Sequence, residues 1–187
     1  MTQQTDAPNA VTLRLARRDD ADAIAALIER SVHGLQDQDY THAQMDGALG
    51  TVFGVDTRLI DDGAYFVAEQ DGEILGCGGW SWRKTLFGGD HVASKDDGLL
   101  QPGVDPARIR AFFIDPAHAR RGLGSLILEA CENAARRQGF VELELVATLT
   151  GEKLYQKRGF SGIERFDVQL PNGEALPVVR MRRMIGA

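Results

Sequence analysis

The sequence predicts an α/β (α+β) fold in which helices cover both faces of a mixed sheet, and three observations predict it. An apolar run (Ile109, Ala111, Phe112, Phe113, Ile114) breaks at Asp115-Pro116 and enters a helix through the basic, glycine-containing turn Arg120-Arg121-Gly122-Leu123-Gly124-Ser125. Two further apolar runs, 64–69 and 73–82, meet across Gln70-Asp71-Gly72, whose Asp-Gly pair is a hairpin signal. After residue 140, strand and helix signals alternate to the end of the chain. The resulting order is β-α-α-β-β-loop-β-α-β-α-β-β.

Residues 1–10 are polar and read as a flexible tail, which leaves 11–187 as a single domain. Val11, Leu13 and Leu15 alternate with Thr12 and Arg14, the pattern of a first strand. Asp19 or Asp20 then caps a helix with Ile24, Leu27 and Ile28 on one face and Gly34 just past its end. Thr41 caps a second, short helix through Met45 and Leu49, and 50–63 reads as loop or ragged helix. The strand at 73–82 holds Gly76, Gly78 and Gly79, which signals a bend or a close backbone approach. Between Arg83 and Ala107 there is no periodicity, and a loop of that length reads as a cover over a binding site.

From Leu123 the apolar positions fall at 123, 126, 127, 130, 131 and 134, one face of a helix that Gly139 ends. Val141, Leu143 and Leu145 alternate with Glu142 and Glu144, so the next strand turns both glutamates to solvent. Thr148 or Thr150 starts the helix GEKLYQKR, and two closing strands flank Pro171-Asn172-Gly173.

Composition narrows the function. With 43% hydrophobic and 26% charged residues, the chain suits one globular domain with a full core. A net charge of −6 argues against nucleic acid or an anionic membrane as partner and mildly favours a cationic small molecule. Cys77 and Cys131 lie in apolar segments and read as buried thiols. The four histidines show no metal-ligand spacing, so no metal is expected. There is no signal-peptide core at the start and no span of bilayer length, so the expected location is cytoplasmic.

The turn at 120–125 is the chemical centre of this reading. The first turn of a helix has unpaired N–H groups and partial positive charge, which makes it a seat for anions. Gly122 and Gly124 let phosphates approach the backbone, and Arg120 and Arg121 add full charge. The dinucleotide fingerprint does not fit, because its third small residue would fall at Ile127.

FFIDPAHARRGLGSLIL resembles the acyl-CoA pyrophosphate loop of the GNAT superfamily of N-acetyltransferases, whose pattern is Gln/Arg-x-x-Gly-x-Gly/Ala. Gly122 and Gly124 match the small positions, and Ala119 stands where the family carries Gln or Arg. LYQKRGF at 154–160 resembles the family's tyrosine-bearing segment, and the order of elements is similar from about Val11 to Met184. The resemblance implies a mostly antiparallel central sheet of about six to seven strands. It implies acetyl-CoA as co-substrate and a primary amine as acceptor, joined by direct attack in a ternary complex. It also implies that the strands before and after the long helix splay apart around the CoA arm.

Carried over residue by residue, the resemblance gives CoA the strand residues Phe112, Phe113 and Ile114, then Arg120, Arg121, Gly122, Leu123, Gly124 and Ser125, and Thr150. The Ile114 N–H takes the role of polarising the thioester carbonyl, and Tyr155 that of the acid that protonates the departing thiolate. The base stays unassigned, since Arg108–Ile114 offers no carboxylate and a water chain is an equal candidate. Homodimers are common in the family, but nothing in this sequence marks an interface. Ala119 and the missing carboxylate keep open a non-catalytic acyl-CoA-binding module. A nucleotide-binding regulator is a third reading, one that predicts NAD or ATP affinity.

Overall fold

The computed structural model describes residues 10–92, 96 and 98–186; the tail at 1–9 and residues 93–95 and 97 of the long loop lie outside them. In chain order the elements are β1 (Thr12–Leu15), α1 (Ala21–Leu35), α2 (His42–Ala48), α3 (Thr57–Asp61), β2 (Tyr65–Gln70) and β3 (Glu73–Ser81). The second half contributes β4 (Ala107–Ile114), α4 (Leu123–Arg137), β5 (Glu142–Thr148), α5 (Leu149–Lys157), β6 (Ser161–Gln169) and β7 (Ala175–Met184). The strands form one seven-stranded mixed sheet in the order β1-β2-β3-β4-β5-β7-β6. Only β4 and β5 run parallel, so the sheet is mostly antiparallel as expected.

Two apolar cores sandwich the sheet. One joins Ile127, Leu128 and Cys131 of α4 and Tyr155 of α5 to Leu75, Leu143 and Leu145. The other joins Ile24, Leu27 and Ile28 of α1 and Met45 of α2 to Tyr65, Val67 and Val178. Along α4 the buried stripe runs through Leu123, Ile127, Leu128, Cys131 and Ala135, while Leu126 is 39% exposed. Of the expected positions 123, 126, 127, 130, 131 and 134, the face keeps 123, 127 and 131 and is rotated so that Leu128 and Ala135 are buried in place of Leu126, Ala130 and Ala134. Gly34 does not end α1, which runs on to Leu35. A Cβ there would lie 2.4 Å from the Pro116 ring, so the glycine permits close docking of the helix on the turn after β4. The stretch 50–63, expected as loop or ragged helix, contains α3, capped by the Asp56 side chain. Cys77 and Cys131 are buried, free thiols.

The strand glycines serve β4. A Cβ on Gly78 would meet the Phe112 ring at 2.6 Å, and one on Gly76 would meet Ile114 at 2.8 Å. The strand β4 is itself irregular: its register with β3 shifts between Cys77 and Gly79, and Ala111 takes the left-handed φ of 55°. That bulge carbonyl accepts a hydrogen bond from the Tyr65 hydroxyl at 3.0 Å. A bulge bends and twists its strand. β4 has already left β5 when it reaches the bulge: the two pair only at Ala107↔Leu143 and Arg108↔Glu144.

Glu144 corrects the alternation argument. It is fully buried, held by Arg108 and Arg182 and by Arg180 at 2.9 Å, while Glu142 is half-buried. The side chains of Arg108 on β4 and of Arg180 and Arg182 on β7 close over it, so alternation along β5 does not carry it into solvent. Among the described residues, no helix is long and apolar enough to cross a membrane, and no group of three or more His, Cys, Asp or Glu side chains is placed to hold a metal.

Candidate active site

The parting of β4 and β5 opens a cleft of about 780 Å³ through the sheet. Its walls include Ile109–Ile114 on one side and Val146–Thr148 on the other. At the end beneath α4 and α5 the cleft meets Ala119, Arg120, Gly122–Ser125, Thr150, Lys153 and Lys157. At the end beneath α1 it meets Leu35, Gln36, Val52–Gly54, Leu86–Gly88, Val168 and Val178.

The phosphate-like end is built by backbone conformation. Arg120 (φ 61°) and Gly122 (φ 86°) both adopt left-handed backbone ahead of the first turn of α4, the kind of turn that gathers N–H groups into an anion-binding concavity. At Gly122 a Cβ would meet nothing within 4 Å, so glycine is there for its φ and its open approach rather than for packing. Gly124 faces Leu154 of α5, where a Cβ would sit 3.2 Å away. Ser125 Oγ accepts a hydrogen bond from Arg158 Nε at 3.0 Å. Of the residues singled out in the sequence, Phe112, Phe113, Ile114, Arg120, Gly122, Leu123, Gly124, Ser125, Thr150 and Tyr155 all line the cleft. Arg121 does not; it is exposed outside it.

The helix carrying Tyr155 is fixed at its start. Thr148 caps it by accepting from the Gly151 N–H at 3.0 Å, and the Leu149 N–H donates to the Tyr40 hydroxyl at 2.8 Å. Thr150 is thus inside the first turn, and its hydroxyl donates to Asp39 at 2.7 Å. The Tyr155 ring packs edge-on against Phe112 and Phe160, with centroids 6.3 and 5.6 Å away. Burial, with a smaller contribution from Cys131, pushes its phenol well above the ordinary value. The group therefore stays protonated throughout the range in which proteins work. The Ile114 N–H donates to Ser31 Oγ of α1 at 3.2 Å.

The α1 end differs in character. Its wall is mainly apolar, with two polar side chains among it. Arg110, 6% exposed, lies 2.7 Å from the buried Asp56 and donates to the Gly88 carbonyl at 2.6 Å. Gln36, also 6% exposed, has an Oε1 with no hydrogen-bond partner among the described residues. The long loop does contribute Leu86, Phe87 and Gly88 to the wall, sewn in place by Gly89 N–H to Thr51 O (2.8 Å) and Asp90 N–H to Val55 O (2.9 Å). Trp80 is a core residue packed on Phe140, whereas Phe87 faces the cleft and lies 6.3 Å from Phe166.

Sequence reasoning missed Lys153, Lys157, Gln36 and Arg110. The lysines carry a signal, an i, i+4 pair on the helix of Tyr155. Gln36 and Arg110 carry none, since only the parting of β4 and β5 brings them together. Against a net charge of −6 for the whole chain, the described residues lining the cleft include four cationic side chains, Arg110, Arg120, Lys153 and Lys157, and no Asp or Glu.

A sheet split beside a bulged strand, with a left-handed turn and a helix start at one mouth, defines an acyl-CoA N-acyltransferase-type fold. The family model described as the acetyltransferase (GNAT) domain matches residues 61–162, and the chain belongs to that family. Among solved structures, the chain is similar to a GCN5-related N-acetyltransferase from Rhodopseudomonas palustris (20% identity, 95% of this chain and 98% of that one, TM-score 0.69). It is also similar to yncA from Salmonella typhimurium, solved with its cofactor acetyl-CoA (20% identity, 95% of each chain, TM-score 0.62). A third is the PaiA N-acetyltransferase from Thermoplasma acidophilum in complex with coenzyme A (11% identity, 94% of this chain and 99% of that one, TM-score 0.62). At these identities the likeness is one of fold. No curated protein matches the sequence.

Proposed function

We propose that this protein transfers the acetyl group of acetyl-CoA to a primary amine by direct attack in a ternary complex, and that residues 11–187 form one domain for that purpose. The observation that carries the reading is the parting of β4 and β5 after two paired residues, which leaves an open cleft between the start of α4 and the buried Tyr155. The donor set fits an acyl-CoA: backbone amides at Gly122–Ser125 with Arg120, Lys153 and Lys157 suit phosphates, and the apolar strand Phe112–Ile114 suits the thioester arm.

In this reading the thioester carbonyl displaces Ser31 Oγ from the Ile114 N–H, which then faces the developing oxyanion. The amine nitrogen bonds to the carbonyl carbon, the carbon–sulfur bond breaks, Tyr155 donates a proton to the thiolate, and the proton that the nitrogen sheds passes through water to restore the phenol. Its raised pKa suits an acid and rules it out as a base near neutral pH.

A specific observation sustains a second reading, a non-catalytic acyl-CoA-binding module: Ala119 lines the cleft where the family carries a longer polar side chain. An assay of CoA-thiol release with a panel of amines, run beside a thermal-shift titration with acetyl-CoA, separates the two. Release supports the enzyme; a shift without release across the panel supports the module.

A further inference from the structure

Ala111 holds a backbone conformation that its residue type disfavours. It takes φ 55° within β4, and it lines the cleft together with Phe112, Phe113 and Ile114. The other described non-glycine residues with positive φ lie in turns: Asp71 in the hairpin, Arg120 ahead of α4. The left-handed region costs a residue with a Cβ roughly a factor of ten in population. Strain of this kind persists only where neighbouring groups over-determine it.

The group that does so is Tyr65, which starts on β2, crosses β3 and ends at β4. Tyr65 is paired with Gly79 in the β2–β3 ladder. A Cβ on Gly79 would lie 2.8 Å from the Tyr65 ring, so the missing side chain is what lets the ring cross. Beyond it the hydroxyl donates to the Ala111 carbonyl at 3.0 Å. Cys77 Sγ lies 3.2 Å from that hydroxyl and 3.9 Å from that carbonyl. Tyr65 and Cys77 are both 0% exposed, which shields the hydroxyl from bulk water. The peptide is trans and planar, so tying its carbonyl to Tyr65 turns the Phe112 N–H of the same plane the opposite way. The direction in which the chain enters Phe112–Ile114 is thereby fixed.

Resting on the acetyl-transfer reading, we propose that Tyr65 is a positioning residue: its hydroxyl locks the Ala111 bulge and so presets the stretch Phe112–Ile114 that receives the acyl-CoA arm. Tyr65 does not itself line the cleft; it acts through Ala111. Without the hydroxyl, an alanine at 111 returns to ordinary backbone in most molecules. The apparent affinity for acetyl-CoA then falls with the fraction that keeps the bulge. Glycine enters the left-handed region about as readily as the right-handed one, so a glycine at 111 keeps the bulge with no pin.

The test is calorimetric titration with acetyl-CoA, well below the melting temperatures, of the unaltered protein, Tyr65→Phe, and Tyr65→Phe combined with Ala111→Gly. Tyr65→Phe should weaken acetyl-CoA binding about tenfold. Adding Ala111→Gly should bring the affinity back to within about threefold of the unaltered protein. The melting temperature of the double variant should stay below that of the unaltered protein, because the hydrogen bond of the hydroxyl is still missing. A merely structural role would instead lower affinity and melting temperature together, and glycine at 111 would restore neither. Unchanged acetyl-CoA affinity in Tyr65→Phe, or a loss that Ala111→Gly does not repair, would overturn the positioning role and leave acetyl-CoA binding standing. Absence of acetyl-CoA binding in the unaltered protein would overturn both.

Discussion

Replacing Glu144 by Gln tests the closed end of the cleft. This carboxylate is fully buried and is the shared partner of Arg108, Arg180 and Arg182, so it joins β4, β5 and β7 where the first two begin to part. Removing one partner from a buried ion pair costs about 3–5 kcal/mol, because the remaining charges stay desolvated without compensation. For a chain of this size each kcal/mol corresponds to about 2–4 °C, so Glu144→Gln is expected to lower Tm by roughly 6–20 °C at pH 7. Acid should narrow the difference. Burial opposes ionisation of Glu144, but hydrogen bonds from Arg180 and Arg182 and the charge of Arg108 outweigh it and hold the carboxyl below its ordinary value. A depressed carboxyl contributes stability that is fully present above its unfolded pKa of about 4.3 and is lost as pH falls through the folded value. Thermal unfolding of both proteins across pH 7 to 3 supplies the measurement. A loss below about 1 kcal/mol at neutral pH, or a gap that stays constant into acid, would refute the assignment of Glu144 as the counter-charge of the three arginines.

Other expectations follow from single contacts. Tyr155→Phe should retain the acetyl-CoA thermal shift and lower kcat by about 10²–10⁴-fold in steady-state assays, the range for loss of a general acid; unchanged turnover would remove it from the mechanism. Arg120→Gln should weaken acetyl-CoA binding several-fold at low salt, whereas Arg121→Gln, outside the cleft, should leave it within about twofold by calorimetry. Gly122→Ala should cost about 1–2 kcal/mol in denaturant unfolding through its φ of 86° alone, since its Cβ would meet no neighbour. Ser31→Ala strips the Ile114 N–H of its acceptor, so it should destabilise the ligand-free protein by about 1 kcal/mol and enlarge the thermal shift given by acetyl-CoA.

Much of the frame was legible because it rests on local signals. The Asp-Gly hairpin, the strand that stops at Asp115-Pro116, and the glycine turn before Leu123 depend on residues adjacent in sequence. What escaped depends on partners far along the chain. Alternation placed Glu144 in solvent, but arginines 36 and 38 residues on, and another 36 residues before it, enclose it. The Ala111 bulge has no compositional marker, because alanine is not a residue that favours positive φ. Gly34 read as a helix stop until Pro116, from a distant turn, supplied the reason for the missing side chain. The candidate site divides in the same way. Its phosphate-like end follows a contiguous motif, while Gln36, Arg110 and Val178 come from three separate segments that only the tertiary fold unites.

The hydroxyl of Ser31 has a further consequence. Helix α1 supplies β4 with a placeholder, so the donor at Ile114 has an acceptor within the chain. Under the acetyl-transfer reading, an arriving thioester would then exchange one hydrogen bond for another rather than gain one outright, and a departing product would hand it back. Such a swap makes entry and exit nearly balanced at that atom. It favours repeated turnover over tight retention, and leaves the distant phosphates to set how long the cofactor stays.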